Sequence, residues 1–170
     1  DAFRSGLSES KVSQQSDGRW VRVSKSCTRE GGVVSIRQDI TEEKQRQVEL
    51  QRAQSRLDDA IESMPDGLLL WGPDERLIVC NSATKRIDPD AYEILKPGIK
   101  FEEFLRARVA RGSIVQASEN QERFIRDRLE GFRSGQPAPI VQQQADGRWL
   151  RITQSRTREG GVVSIRADIT

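Results

Sequence analysis

The residue types that carry most protein chemistry are sparse in this chain. Its 170 residues contain no histidine, the usual general base, phosphate acceptor and ligand of haem and catalytic zinc. The two cysteines, Cys27 and Cys80, lack the spacing of a disulfide framework or a metal site, which favours a reduced compartment. No carboxylate lies in a motif with nucleophile or metal-ligand spacing. The sequence therefore predicts that the chain is not an enzyme.

The glycine pair Gly160-Gly161 invites comparison with the glycine-rich turns that cradle phosphate groups. Its neighbours match no phosphate-loop pattern. A β-branched run follows it, as is typical of a turn that leads into a strand. We therefore interpret the pair as a plain turn.

The composition limits the classes of partner. Charged residues make up 32% and hydrophobic residues 35%, with a net charge of only +2. The arginines alternate with acidic and apolar residues, so they form no electrostatic footprint for nucleic acid. No apolar run reaches membrane-spanning length. These features predict a cytoplasmic segment without membrane contact.

A long internal repeat organises the chain. Residues 143–170 repeat residues 14–41 without a gap, at a constant offset of 129 positions (14 to 143). Between residues 3 and 41, 26 of 39 aligned positions are identical. A repeat of this kind predicts a recurring structural unit. We predict the C-terminal part of a first unit at 1–41, a linker helix at 42–63 and a complete second unit at 64–170.

The repeated stretch predicts a three-stranded antiparallel meander. Leu150 and Ile152 alternate with Trp149 and Arg151, a period of two that indicates a half-buried strand. Turn residues separate this strand from its neighbours, at Asp146-Gly147 and at the glycine pair. We expect Leu150, Ile152, Val163 and Ile165 to face the core, and Trp149, Arg151 and Arg166 to face outward.

The stretch from 42 to 63 predicts a helix, because it contains neither glycine nor proline and is rich in helix formers. Apolar and small residues recur in it at heptad spacing. They are Leu50, Ala53, Leu57, Ala60 and Met64. This narrow stripe favours a parallel seam between two chains. The alternative is a surface helix packed on its own domain.

The predicted order in the second unit is helix, hairpin, several short helices and meander, which is the order of a PAS domain. GLLLWGPDERLIVCNSA at 67–83 resembles the opening hairpin, with Asn81 at the family's characteristic asparagine. GGVVSIRADIT at 160–170 resembles the last strand and its Asp-Ile-Thr junction. LKPG at 95–98 and FEEFL at 101–105 are similar to a bacterial subgroup in sensor kinases and cyclic-di-GMP enzymes. The resemblance covers 64–170, and 14–41 as the meander of a preceding unit.

This resemblance implies an α+β fold, with a five-stranded antiparallel sheet in the order 2-1-5-4-3 and helices on one face. Where such domains bind small molecules, the ligand lies between the helices and that face. The pocket candidates are Leu69, Val79, Asn81, Phe104, Leu150, Ile152 and Ile165. On the opposite face, Trp149 fits an interface, or it shields the flanking helix.

The resemblance also implies a sensory, signal-transducing module that relays a signal through a dimeric linker helix to an output domain outside the chain. The alternative is a non-sensing dimerisation spacer. Convergent polar groups in the pocket would favour sensing, and a filling of Phe and Leu would favour the spacer. The junctions that would pass the signal on are Asp39, Ile40 and Thr41, and Asp168, Ile169 and Thr170.

Departures from the family pattern predict that no cofactor is bound. Flavin-binding photosensors of this family carry a reactive cysteine just after the characteristic asparagine, whereas here Cys80 precedes Asn81 and Ser82 follows it. Haem-binding members use histidine. We therefore expect neither flavin nor haem, and leave open an unidentified small-molecule ligand.

The predicted partner is a second copy of the chain. The meander at 14–41 leaves Val33–Ile40 as an open edge and Val21, Val23, Val34 and Ile36 as an uncovered apolar face. Open edges recruit strands, and near-identity with 143–170 makes an exchange between chains inexpensive. We therefore expect a homodimer, with strand exchange by residues 14–41.

Overall fold

The described part of the chain contains two antiparallel sheets, a long helix that follows the first sheet, and shorter helices within the second unit. The computed structural model describes residues 9–135 and 138–170. The chain divides into two units, one up to Leu57 and one from Asp58 onward. The α+β class predicted from the sequence is confirmed.

The first unit contains a three-stranded antiparallel sheet and the greater part of a long helix. Its elements are β1 (Glu9–Gln14), β2 (Trp20–Cys27), β3 (Val33–Asp39) and α1 (Thr41–Glu62). The strands are ordered β1-β2-β3. Gly18 and its repeat counterpart Gly147 adopt φ angles of +88° and +90°, a left-handed turn conformation that favours glycine. The repeat in sequence is thus also a repeat in turn geometry.

The second unit contains a five-stranded antiparallel sheet and four helices among its described residues. Its elements are β4 (Gly67–Trp71), β5 (Leu77–Cys80), α2 (Ala83–Ile87), α3 (Pro89–Ile94), α4 (Phe101–Ala110), a 3-10 turn (Val115–Ala117), α5 (Gln121–Ser134), β6 (Ile140–Gln143), β7 (Trp149–Arg156) and β8 (Val162–Asp168). The strands are ordered β5-β4-β8-β7-β6. The first and last strands of the unit therefore pair at the centre of the sheet.

The core of the second unit has an aromatic part. Trp71, Phe101, Phe104 and Phe132 are all buried. The rings of Phe101 and Phe132 stack with centroids 3.8 Å apart, and Trp71 meets Phe101 edge-on at 5.2 Å. Such pairs stabilise a core beyond the area that they bury. A smaller buried cluster consists of Ala83, Ile87, Leu150 and Ile152.

The predicted facing of β8 is wrong. Arg166 is buried and lies opposite Ile152, whereas Ile165 lies opposite Thr153 on the other face. Directly opposed residues of an antiparallel pair share a face. Apolar residues occur on both faces of β8, so alternation did not discriminate between them. Unpaired arginines are rarely buried, so a strand position with arginine is expected to face solvent. The inward residues of β8 are Val162, Ser164 and Arg166.

The same correction applies to the first unit. Val21 and Val23 lie opposite Asp39 and Arg37, whereas the partner of Ile36 is Ser24. The four residues predicted to form one apolar face therefore lie on two different faces of the sheet. Val34 and Ile36 are exposed, and Val21 and Val23 are half-buried.

Trp20 lies beside the first turns of α1. The Lys44 ammonium is 5.7 Å from the centroid of its ring. A groove of about 210 Å³ is lined by Trp20, Lys44, Gln45, Val48, Glu49 and Arg52. In the first unit, the tryptophan thus shields the flanking helix. Its counterpart Trp149 is exposed.

Candidate functional site

A buried ion cluster lies between the helices and the sheet of the second unit. The Asp88 carboxylate accepts hydrogen bonds from Arg108 at 2.9 and 3.1 Å and from Arg166 at 2.5 Å. The exposed fractions of Asp88, Arg108 and Arg166 are 2%, 1% and 4%. Buried charges are rare unless they are paired, so each of these three side chains depends on the others to remain in the interior.

Three different elements position these side chains. Asp88 is the N-cap of α3 and accepts a hydrogen bond from the Ala91 amide at 3.2 Å, with Pro89 at the first helical position. Arg108 extends the inward face of α4, seven residues after Phe101. Arg166 lies on β8 opposite Gly67. The cluster therefore joins α3, α4 and the centre of the sheet.

Phe104 connects the cluster to the aromatic core. Its ring centroid lies 5.8 Å from the Arg108 guanidinium carbon and 5.2 Å from that of Arg166. A desolvated cation over an aromatic face contributes about 2 kcal/mol or more. Arg108 also donates to the side-chain carbonyl of Gln144. An apolar ring and an amide thus complete the surroundings of the two cations.

Several buried donors around this cluster have no hydrogen-bond partner among the described residues. Every one is an N–H group, and none is an acceptor. They are Nε of Arg108, Arg128 and Arg166, Nη1 of Arg128, Nε2 of Gln142 and Gln144, and Nε1 of Trp71. Buried polar groups are otherwise paired in native proteins, so such a set requires a physical explanation.

Arg128, on α5, adds a third cation. The residue is partly exposed as a whole, but Nε and Nη1 of its guanidinium are shielded from solvent. Burial, and next the like charges of Arg166 and Arg108, lower the pKa of Arg128 to about 10. Burial also lowers the pKa of Arg108 to about 10. Both groups stay charged at neutral pH.

A small polar depression opens beside the cluster. Its volume is about 170 Å³, and Asp88 and Gln144 belong to both the depression and the cluster. The other lining residues are Asp90, Arg111, Ser113, Ala145, Asp146 and Arg148. Asp90 lies 3.7 Å from Arg108 Nε and also pairs with Arg111 at 3.3 Å. The cluster therefore approaches solvent on this side.

The structure brings four of the predicted pocket residues together. Leu69, Phe104, Leu150 and Ile152 are all buried on the helix-covered side of the sheet. Ile165 was predicted to join them and lies on the opposite face, opposite Thr153. Val79 pairs with Leu70 and shares its half-buried face, so its assignment to the pocket is also wrong.

Asn81, the remaining pocket candidate, follows the second strand of the opening hairpin. It is completely buried, and its side chain makes four hydrogen bonds. Its carbonyl accepts from the Leu68 amide at 2.8 Å and from the Thr84 hydroxyl at 3.1 Å. Its amide donates to the backbone carbonyls of Ile61 and Asp66 at 3.1 and 3.0 Å. Asn81 therefore ties the end of α1 to the opening hairpin, and no bonding capacity is left for a ligand.

A second contact joins the end of α1 to the same hairpin. The Glu62 carboxylate accepts a hydrogen bond from the Ser82 amide at 3.0 Å, which holds the pKa of Glu62 below its usual value. Arg86 also donates to the Pro65 carbonyl at 2.9 Å. The segment that enters the second unit is thus fixed by side chains on both sides of Asn81.

The two predicted junctions have the same hydrogen-bond geometry, which we call the junction clasp. In the first unit, Asp39 accepts from the Thr41 hydroxyl at 2.6 Å, and this hydroxyl accepts from the Trp20 amide at 2.9 Å. The corresponding distances are 2.6 Å from Thr170 to Asp168 and 3.0 Å from the Trp149 amide to Thr170. The threonine bonds hold the pKa of both aspartates below the usual value.

The junction isoleucines differ between the two units. Ile40 is buried, whereas Ile169 is exposed. In both units the isoleucine amide donates to the carbonyl of the clasp tryptophan, Trp20 or Trp149. The backbone geometry of the junction is thus shared, and the side-chain packing is not.

The predicted seam is uncovered in the single chain. No residue of α1 is buried, and Leu50 and Leu57 are 69% and 65% exposed. Ala53 and Ala60 lie on the same helix, and Met64 follows its end. The arrangement leaves an apolar stripe available for a partner.

Sequence reasoning missed Asp88, Arg108 and Arg128, and it assigned Arg166 to the wrong face of the sheet. Arg108 stands at i+7 from Phe101 and at i+4 from Phe104, so it occupies a position that periodicity assigns to the interior. Arg128 similarly lies three residues after Ile125 and four before Phe132. A charged residue within an apolar stripe is the signal that would have identified them. Nothing in the local sequence marks Asp88 as the common partner of Arg108 and Arg166.

The described part of the chain contains neither a grouping of metal ligands nor a membrane-spanning helix. No group of three or more Cys, Asp or Glu side chains there is placed to hold a metal ion. Among the described helices, none combines the length and apolarity needed to cross a membrane.

Comparison with known proteins identifies the family of this chain. The family model described as PAS fold matches residues 61–170. The chain belongs to the PAS family, as its sequence motifs indicated. The match includes the end of α1, the hairpin with Asn81 and all three elements that build the ion cluster.

The chain is also similar to named proteins. It is 35% identical over 138 residues to the "Non-motile and phage-resistance protein" of Caulobacter vibrioides, and the match covers 81% of the chain but 15% of that protein. Among solved structures, it resembles the PAS domain of an HTR-like protein from Haloarcula marismortui, at 18% identity and a TM-score of 0.47, over 74% of this chain and 99% of that one. A further match is the E. coli DhaR(N)–DhaL complex, at 10% identity and a TM-score of 0.38, over 93% and 60%.

Proposed function

We propose that the second unit is a cytoplasmic, non-catalytic sensory module that relays a signal to an output domain outside this chain. The observation that carries this proposal is the convergence of buried polar groups between the helices and the sheet. Asp88, Arg108 and Arg166 lie where members of the family hold small molecules, and unpaired donors surround them. A pocket with convergent polar groups is typical of ligand recognition.

The proposed output path begins at Arg166. This residue bonds Asp88 and lies two positions before Asp168, the carboxylate of the second junction clasp. A ligand that draws the Arg166 side chain away from Asp88 would change the strain in β8, where the strand pairs with β7. Such a change would alter the clasp between Asp168, Thr170 and Trp149. Ligand binding and clasp geometry would then be coupled through one strand.

The proposed input path ends at Asn81. In our proposal α1 transmits a change from the first unit, and its last turn is held by Asn81 and Glu62. Asn81 also holds the start of β4, whose Gly67 is the cross-strand partner of Arg166. The incoming helix and the ion cluster are therefore adjacent along the same strand pair. This adjacency supports a relay between tandem units.

A non-sensing dimerisation spacer is the second candidate function. It is favoured by the aromatic part of the core, where four large rings fill the space under the helices. Such a module would set only the geometry of the dimer and the spacing between its neighbours. The ion cluster would then be structural.

Native mass spectrometry of the freshly purified 170-residue chain separates the two functions. Sensing predicts a population that carries a small molecule, and this added mass should be lost after Arg166→Met. If the chain shows only its own mass and its melting temperature does not respond to a small-molecule extract of the producing cells, the spacer is correct.

We propose a homodimer whose seam is the stripe on α1. Leu57→Glu places a charge in that seam, and we expect it to weaken association by several kcal/mol, because a buried unpaired carboxylate is poorly tolerated. Analytical ultracentrifugation over a concentration series measures the effect. Gln51→Glu adds the same charge outside the stripe and serves as the control. A dimer that is equally stable in both variants would remove the seam.

The open edge of the first unit suggests an exchange of strands between copies. In our proposal, β3 pairs with a second chain or substitutes for the matching stretch of its partner. Exposure of Val34 and Ile36 on the outer face supports this, since an open edge with apolar neighbours recruits strands. Deleting residues 1–41 should lower both the dimer association constant and the melting temperature. Unchanged values for both would contradict the exchange.

A further inference from the structure

The donors left unpaired in the second unit have a single chemical character. Arg128 offers Nε and Nη1, Arg108 and Arg166 each offer Nε, and Gln142 and Gln144 each offer an amide N–H. Donors of this kind are satisfied by a group that only accepts hydrogen bonds. Carboxylate and phosphate oxygens are such acceptors, and planar guanidinium groups match their geometry.

The charges around these unpaired donors also favour an anionic ligand. Arg108 and Arg166 both bond Asp88, the one fully buried carboxylate among the described residues of the cluster. Nε and Nη1 of Arg128 are shielded from solvent, and burial, followed by the like charges of Arg166 and Arg108, lowers the pKa of Arg128. Asp90 is partly exposed and divides its contacts between Arg108, Arg111 and Ser113. Arg128 has no carboxylate partner among the described residues. The interior therefore holds positive charge that its own acids do not neutralise.

The surroundings restrict the size and polarity of the rest of the ligand. Phe104 packs against two of the cations, and the buried Leu150 and Ile152 lie on the same face of the sheet as Arg166. A small molecule with one acidic group and a compact, partly apolar body matches this combination. A fully hydrated inorganic ion would make no use of the apolar side chains beside the cations.

We propose that this cluster binds an oxyanion, the carboxylate or phosphate group of a small molecule, with Arg128 as its direct contact and Arg108 and Arg166 beside it. The inference rests on the proposed sensory function and names the chemical class of its ligand. Binding places a negative charge beside Arg166, which is bonded to Asp88. It thereby competes for the residue from which the output path begins.

The melting temperature of the 170-residue chain tests the proposal directly. The probes are succinate, benzoate and inorganic phosphate, with succinamide and benzamide as neutral counterparts at matched ionic strength. We expect at least one anion to raise the melting temperature by several degrees, because a ligand that binds only the folded state stabilises it. The amides should have no effect. The comparison of the organic acids with phosphate identifies which oxyanion is preferred.

Variants of one helix supply the matched control. Arg128→Gln should raise the apparent dissociation constant of the anion by about tenfold or more, since it removes charge-assisted hydrogen bonds. Arg126→Gln changes an exposed arginine of the same helix and should respond as the unmodified chain does. Arg128→Lys keeps the charge without the planar fork and should respond weakly.

The behaviour without ligand distinguishes binding from a structural role. Arg128→Gln should then melt at the same or a higher temperature, because it removes a buried charge that lacks a partner. A lower melting temperature, or no anion that acts on the unmodified chain more than on Arg128→Gln, would overturn the proposal. If native mass spectrometry finds the same neutral molecule on the unmodified chain and on Arg128→Gln, the sensory function stands and the oxyanion proposal is wrong.

Discussion

Replacing Asp88 by alanine is expected to lower the free energy of unfolding by about 3–5 kcal/mol, the usual cost of removing one partner from a buried ion pair. Asp88 is the common acceptor for Arg108 and Arg166, and both guanidinium groups are almost inaccessible to solvent. The substitution leaves two like charges in the interior without their shared counterion. It also removes the cap of α3. Urea unfolding followed by circular dichroism measures the loss.

Two further variants decide whether charge is the cause. Asp127→Ala removes a carboxylate from an exposed pair with Arg123, and we expect a change of less than about 1 kcal/mol. In the double variant Asp88→Ala with Arg108→Met, one uncompensated charge is gone, so part of the stability should return. If Asp88→Ala costs no more than Asp127→Ala, the ion cluster contributes little to the fold.

Replacing Asn81 by alanine is expected to lower the free energy of unfolding by roughly 2–4 kcal/mol. The estimate follows from four hydrogen bonds, each with a net contribution of about 0.5–1.5 kcal/mol, and from the backbone groups left unpaired. Two of those groups are the Ile61 and Asp66 carbonyls at the end of α1. The last turn of α1 should therefore exchange its amide hydrogens faster, even at temperatures where the sheet is intact.

Asn120 is a suitable control for this substitution. It makes one side-chain hydrogen bond, to the Arg123 amide, as the N-cap of α5. Asn120→Ala should cost about 1 kcal/mol and leave the exchange of α1 unchanged. Equal losses in the two variants, or unaltered exchange at the end of α1 in Asn81→Ala, would show that Asn81 does not fasten the helix.

The local features of the fold could be predicted because short-range chemistry determines them. The turn at Gly147 needs a left-handed conformation, and the sequence places glycine there. The helix from 42 to 63 was expected from composition, and the structure has it at Thr41–Glu62. The inward position of Leu150 and Ile152 followed from strict alternation along β7.

The ion cluster could not be predicted because its members meet only in three dimensions. Asp88 lies 20 residues from Arg108 and 78 from Arg166 along the chain. A charged residue without a known partner is expected at the surface. This expectation led to the wrong assignment of which face of β8 lies inward. Val79 and Ile165 were wrongly assigned to the pocket because both faces of this sheet carry apolar residues. Apolar character alone does not tell one face from the other.

The junction clasp also determines the angular phase of the helix that follows it. Thr41 is held by both Asp39 and Trp20, so α1 starts from a fixed orientation relative to β2 and β3. Each helical residue advances the chain by about 100°. One residue inserted between Thr41 and Leu50 would turn the stripe away from its original direction, whereas seven would return it to within about 20°. The number of residues after the clasp is therefore as much a determinant of pairing as their identity.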